Sequence, residues 1–189
     1  MGMEFYYKLQ MKWYTLFSQT GSEIFQISER LGKYPDMVLC NKQDGFDSIN
    51  QNLIGKVPII FTDKKPTAEQ YLHYIPEDAL VTMHGWLRIV PGEVCEKRDI
   101  YNGHPGLITE YPQLKGKDPQ QKAIDLGLEY SGCILHKATA ELDGGPVIDV
   151  SDKVVIEGKT EDEVFAGLHE ASVDLWVEFL NKKLNNEGS

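Results

Sequence analysis

Cysteine is scarce in this chain: Cys40, Cys95 and Cys133 are the only three in 189 residues. An odd total without C-x-x-C spacing gives no disulfide framework, and without clustered Cys and His ligands there is no zinc site. Buried free thiols in a reducing cytoplasm are expected. Basic residues are outnumbered, 19 against 29 acidic, for a formal net charge of -10. That balance disfavours a broad nucleic-acid footprint, which needs many Lys and Arg at phosphates, although a local loop can still hold a small anion. No apolar run approaches the roughly 20 residues that span a bilayer. The amino terminus MGMEFYYKLQMKW has neither the apolar segment of a signal peptide nor the Ser or Thr of a myristoylation motif. A cytoplasmic protein with no metal, membrane or nucleic acid as partner follows, as a monomer or homodimer. Internal repeats, low-complexity tracts and linkers are missing too, so residues 1–189 read as one domain long enough for a proper core.

What is present alternates strands with helices. Trp13 to Phe17, Met37 to Cys40, Val57 to Phe61 and Leu80 to Met83 read as buried strands. Between them lie a helix carrying Ile24, Ile27 and Leu31 at helical spacing, a short helix near Phe46 to Leu53, and a helix to Tyr74 with Pro66 in its first turn. This pattern predicts an α/β fold, a doubly wound, Rossmann-like and mostly parallel sheet with helices on both faces. A helix capped by Asp118 and ended by Gly127, strands Ser131 to Ala138 and Pro146 to Ile156, and a long terminal helix complete the chain. The terminal helix opens with a Thr160/Glu163 capping box and turns Val164, Phe165, Leu168, Leu175, Trp176 and Phe179 inward. Residues 1–11 are a lead-in with a possible edge strand, and 185–189 a frayed tail.

The chemistry concentrates between Tyr101 and Asp149. Asn102 and His104 share a face if the backbone is extended, and Pro105 should end that strand and leave both groups at its carboxyl end. The acidic turn Glu141-Leu142-Asp143-Gly144-Gly145-Pro146 can bring a carboxylate to the same point. An amide, an imidazole and a carboxylate around one point suit acyl transfer through a tetrahedral intermediate. Of the other histidines, His136 reads as a core or sheet-face residue, and His84 as bordering a pocket or packed. The long loop Gly106 to Lys117 has the length of a functional or mobile segment. Gln19, Thr20, Gly21 and Ser22 join a strand to a helix amino terminus, a natural anion site though one with a single glycine.

Asn-x-His-Pro at 102–105, followed by Glu-Leu-Asp-Gly-Gly-Pro-Val-Ile at 141–148, closely resembles the folate-dependent formyltransferases, above all the branch that formylates glycinamide ribonucleotide. The resemblance extends to Tyr14–Ile24, Cys40–Asp44 and Val81–Val90. It implies formyl transfer from 10-formyltetrahydrofolate, a co-substrate, to the primary amine of a small, phosphorylated acceptor. Asn102 and His104 would stabilise the oxyanion, and Asp143 with a water would move the proton. Leu87, Arg88, Ile89 and Val90, with Ala140, Glu141 and Leu142, would hold the folate. Gln19, Thr20, Gly21 and Ser22 would meet the acceptor's phosphate, and Glu170 its ribose. Departures from the family pattern bear on the acceptor: Gln19-Thr20 replace Gly and Asn, and Glu23 replaces Asn, placing a carboxylate beside the phosphate loop. Lys115 to Ile124 looks more like the methionyl-tRNA and sugar-nucleotide members. A sugar nucleotide or another amine as acceptor, or water as acceptor in a deformylase, therefore stays open, and a folate-binding module without catalysis is disfavoured because Asn102, His104 and Asp143 are all present. Methionyl-tRNA is disfavoured by the acidic charge and the absence of a second domain.

Overall fold

The computed structural model describes residues 10–185. The possible edge strand within 1–11 falls almost wholly outside the described residues, as does the tail beyond Asn185. The strands are β1 (Trp13–Phe17), β2 (Met37–Cys40), β3 (Ile59–Phe61), β4 (Leu80–Met83), β5 (Asp99–His104), β6 (Tyr130–Ser131), β7 (Ile134–Lys137), β8 (Val147–Val150) and β9 (Val154–Val155). The helices are α1 (Ser22–Leu31), α2 (Ala68–Tyr74), α3 (Gly92–Lys97), α4 (Pro119–Asp125) and α5 (Glu161–Asn185). Seven strands form one sheet in the order β3-β2-β1-β4-β5-β7-β8. β1 to β5 run parallel, and β7 and β8 are antiparallel additions to one edge. This is the Rossmann-like, mostly parallel arrangement that the alternation predicts. β6 and β9 pair separately as a small two-stranded ribbon.

Period-two side-chain direction sorts the core into two faces. Trp13, Leu80 and Tyr101 turn toward α1, α4 and α5 and pack with Leu168, Trp176 and Phe179. Leu16, Val81, Met83 and Ile100 turn the other way, against Tyr71 of α2, Ile75 at its end and Val94 of α3. Trp176 is fully buried, and a side chain of this size withdrawn from water contributes about 1.5–3 kcal/mol. Gly103, between Asn102 and His104, faces α5, and a Cβ there would stand 2.8 Å from Trp176 Nε1. The missing side chain lets the helix lie directly on β5.

Several boundaries differ from the sequence reading, each for a local reason. Instead of a helix over Phe46–Leu53 there are two separate 3₁₀ turns, Gly45–Ser48 and Gln51–Leu53, because the Asn50 side chain accepts from Asn52 N–H and restarts the chain. β3 begins at Ile59, two residues later than expected. Pro66 precedes α2, whose N-cap is Thr67 in a reciprocal capping box with Gln70. α3 was not legible from hydrophobic spacing; it has six residues and buries only Val94. Asp118 is in the left-handed region (φ 52°) and makes no side-chain cap bond to α4. The expected strands at 131–138 and 146–156 are each broken in two. Ser151 Oγ accepts from Cys133 N–H and donates to Asp152 carbonyl, pulling the chain into a bend. Phe165 is 39% exposed rather than inward, and Cys95 is only partly buried, unlike Cys40 and Cys133. The Thr160/Glu163 box does open α5. No helix among the described residues is long and apolar enough to cross a membrane.

Candidate active site

Between β1 and β4 the strand order reverses: the chain leaves β1 outward to β2 and β3, then returns to β4 on its other side. A crevice opens at the carboxyl ends of the strands at such a point. Here it is a cleft of about 750 Å³, lined by the loops after β1, β4 and β5, the 116–120 segment, Leu142-Asp143 and one face of α5.

Asn102 and His104 reach this cleft from the end of β5 and Asp143 from the turn after β7. Asp143 has φ 50°, a left-handed conformation that Asp tolerates better than most side chains. The turn is held tight by Gly145, where a Cβ would meet the Lys137 carbonyl oxygen at 1.7 Å. The Asp143 carboxylate is almost fully buried, and its Oδ2 accepts from Gly116 N–H at 2.8 Å and lies 3.5 Å from His104 Nδ1. Oδ1 lies 3.5 Å from His136 Nε2. His136 is buried on β7, as the sequence reading expects, and stands directly opposite Asn102 in the β5–β7 ladder, within hydrogen-bond reach of it. Only the register of that antiparallel pair reveals this, and the long intervening segment hides the register from sequence.

Bond partners assign the protons. His104 Nε2–H donates to the Leu114 carbonyl at 2.8 Å, so Nδ1 presents its lone pair toward Asp143. His136 Nδ1–H donates to the Lys137 carbonyl, leaving Nε2 to accept from the Asn102 amide at 3.3 Å. The second Asn102 N–H is then free for the cleft. Burial pushes the His104 imidazole below its ordinary value, only partly opposed by the Asp143 charge and the Leu114 bond. Burial alone would raise the Asp143 carboxyl, but His136, His104 and Gly116 N–H outweigh it and hold it below the usual range. Near neutral pH the site is thus a carboxylate beside an unprotonated Nδ1 and a spare amide N–H. Leu114 anchors the 106–117 loop by its buried side chain and by this carbonyl.

The remaining candidates divide. Leu87, Arg88, Ile89 and Leu142 line the cleft. Leu87, Ile89 and Leu142 are 63%, 59% and 56% exposed, so they are apolar walls rather than core. Exposed apolar walls and a cleft of this size fit the flat ring of a folate. Val90 is buried in the core beneath, and Ala140 and Glu141 lie outside the cleft lining. Gln19, Thr20, Gly21 and Ser22 line the end near α1. Glu170 does not line the cleft; it pairs with Arg30 of α1, alongside Asp174. At about 100° per residue it falls nearly opposite Leu168 on α5. Leu168, His169 and Ser172 face the cleft instead, with Glu23 and His84. Ser172 carried a legible signal, a small polar residue at i+4 between Leu168 and Trp176 in an apolar stripe. Among the described residues no group of three or more His, Cys, Asp or Glu is arranged to hold a metal ion.

Known proteins resemble this chain in fold and in sequence. A phosphoribosylglycinamide formyltransferase from Anaplasma phagocytophilum superimposes with a TM-score of 0.77 over 94% of this chain and 88% of its own, at 22% identity, which shows the fold. Phosphoribosylglycinamide formyltransferase of Escherichia coli is 31% identical over 68% of this chain and 64% of its own length. Methionyl-tRNA formyltransferase of Thermotoga neapolitana is 30% identical over 64% of this chain. The chain spans only 38% of that relative's length. The family model described as formyl transferase matches residues 39–180, a span that holds Asn102, His104, His136 and Asp143. With that span covering most of the sequence, this chain belongs to the formyl transferase family.

Proposed function

We propose that this chain transfers the formyl group of 10-formyltetrahydrofolate to the primary amine of a small acceptor. One observation carries the reading: Asn102, His104 and Asp143, from two separate segments, meet at one end of a cleft whose mouth has exposed apolar walls. The acceptor amine attacks the formyl carbon, and the carbonyl oxygen becomes an oxyanion. The free Asn102 N–H donates to that oxygen. His104 Nδ1 takes the proton the amine loses, and the Asp143 carboxylate stabilises the imidazolium, which stands beside the oxyanion as a cation. As the intermediate collapses, the bond from formyl carbon to the folate nitrogen breaks and the proton passes to that nitrogen, through His104 or through water held by Asp143. Burial that keeps His104 unprotonated in the resting site prepares it for the first step.

Phosphoribosylglycinamide, the acceptor in the Escherichia coli relative's name, is the first compound to try, with an amino-sugar nucleotide and an acceptor-free control beside it. Release of tetrahydrofolate that depends on an added amine supports the reading. Equal release without acceptor would make the activity that of a deformylase. No release with any acceptor would count against the reading.

A further inference from the structure

The acceptor end of the cleft contains a group that a phosphate site should not have. Glu23, in the first turn of α1, lines the cleft together with Thr20, Ser22, His84, His169 and Ser172. Its carboxylate does not swing clear. Oε1 accepts from His84 Nδ1–H at 3.1 Å and from Ser172 Oγ at 3.3 Å.

The bonds behind His84 settle what that contact is. Trp13 Nε1–H donates to Thr82 Oγ1 at 2.9 Å, and Thr82 Oγ1 lies 2.8 Å from His84 Nε2. The chain closes with every donor used if Thr82 O–H donates to Nε2 and His84 keeps a single proton on Nδ1. Glu23 is therefore hydrogen-bonded without being neutralised. Burial opposes its charge, but the hydrogen bonds from His84 and Ser172 help hold the carboxyl below its ordinary value.

Oε2 is the atom left over. His169 Nδ1 lies 4.0 Å from it, beyond hydrogen-bond length. His169 uses its Nε2–H on Gln26 Oε1 and turns Nδ1 toward Glu23 without reaching it. A carboxylate oxygen with no hydrogen-bond donor of its own among the described residues thus stands where α1 begins, and the Arg and Lys of the cleft lining, Arg88 and Lys117, belong to other segments. A carboxylate in the first turn also already complements the helix dipole that a bound phosphate would exploit. Phosphate would bring charge of the same sign and, as a dianion, no donor.

Resting on the formyl-transfer reading, we infer that Glu23 is a specificity-determining residue that selects an acceptor presenting hydroxyl groups, not a phosphate monoester, to the 19–23 loop. Glu23 Oε2 accepts from such a hydroxyl, as a polyol or unphosphorylated sugar would supply.

The test compares glycinamide ribonucleotide with glycinamide riboside, which differ only by the phosphate, using the full chain and 10-formyltetrahydrofolate. In the wild type the riboside should have the higher kcat/KM, by about tenfold or more. Glu23→Gln keeps the Oε1 acceptor for His84 but turns the second position into a donor, so the preference should shrink at least about tenfold or reverse. A wild-type preference for the ribonucleotide, or a riboside preference that Glu23→Gln leaves unmoved, overturns the inference. If neither compound is formylated, formyl transfer to these acceptors fails, and calorimetric binding of the same two compounds decides the Glu23 question separately. Tighter riboside binding that is lost in Glu23→Gln sustains it. Equal binding, tighter ribonucleotide binding or no binding of either overturns it.

Discussion

Asn102 and His136 face each other across the antiparallel β5–β7 pair, and the Asn102 amide donates to His136 Nε2 over 3.3 Å. The bond fixes which edge of the amide meets the cleft. His136→Phe keeps the ring and removes the acceptor, freeing the amide to rotate. We expect kcat to fall about tenfold to a hundredfold, less than the roughly 10²–10³-fold typical of losing an oxyanion donor outright, as in Asn102→Ala. Steady-state kinetics check this; a rise in acceptor KM with kcat intact would assign His136 to binding instead.

His104 should titrate below an ordinary histidine, because burial outweighs the help of Asp143. Removing the Asp143 charge in Asp143→Asn should lower its midpoint further. The link to stability follows the same sign. A histidine with a depressed folded value gives a contribution that is fully present above the unfolded value of about 6.5 and is lost as pH falls through the lower folded value. NMR titration of the imidazole resonances measures the midpoint. A value above 6.5 in the wild type, or an upward move in Asp143→Asn, would contradict the burial account.

The two glycines after Asp143 are not equivalent. A Cβ on Gly145 would overlap the Lys137 backbone carbonyl, whereas one on Gly144 would meet the exposed side chain of Glu141, which can move. Gly145→Ala should displace the turn that carries Asp143 and cost far more activity than Gly144→Ala. Parallel kcat measurements with circular dichroism of both variants decide it; equal losses would mean the close approach at Gly145 is not what places Asp143.

On the other face of the same strand, Gly103→Ala would put a methyl 2.8 Å from Trp176 Nε1. Overpacking of this kind costs about 1–3 kcal/mol, and a fall in denaturant midpoint with unchanged slope is the expected result. A stability equal to the wild type would show that α5 does not rest on this glycine.

How much of this was readable beforehand depends on the range of the interaction. β1, β2 and β4 have the expected limits because short apolar runs in a parallel sheet are set by local pattern. The Asn102/His104 face and the end of β5 before Pro105 follow from period two and proline chemistry. His136 is buried on β7, as a core or sheet-face reading has it, but its contact with Asn102 depends on cross-strand register. Glu170 lies off the cleft and Ser172 on it because helix phase is relative to a partner helix that the sequence does not name, and α1, through Arg30, claims Glu170. The Glu23–His84 contact spans 61 residues and required the fold to be seen.

The central claim is that this cleft moves a formyl group onto an amine through Asn102, His104 and Asp143. The most direct measurement supplies 10-formyltetrahydrofolate labelled with carbon-13 in the formyl group, together with glycinamide riboside or ribonucleotide, and follows the label by mass spectrometry. The account predicts labelled N-formyl acceptor with the wild type and a loss of orders of magnitude with His104→Ala or Asp143→Asn. Label released as formate at the same rate with and without acceptor, or transfer that survives both substitutions, would contradict it.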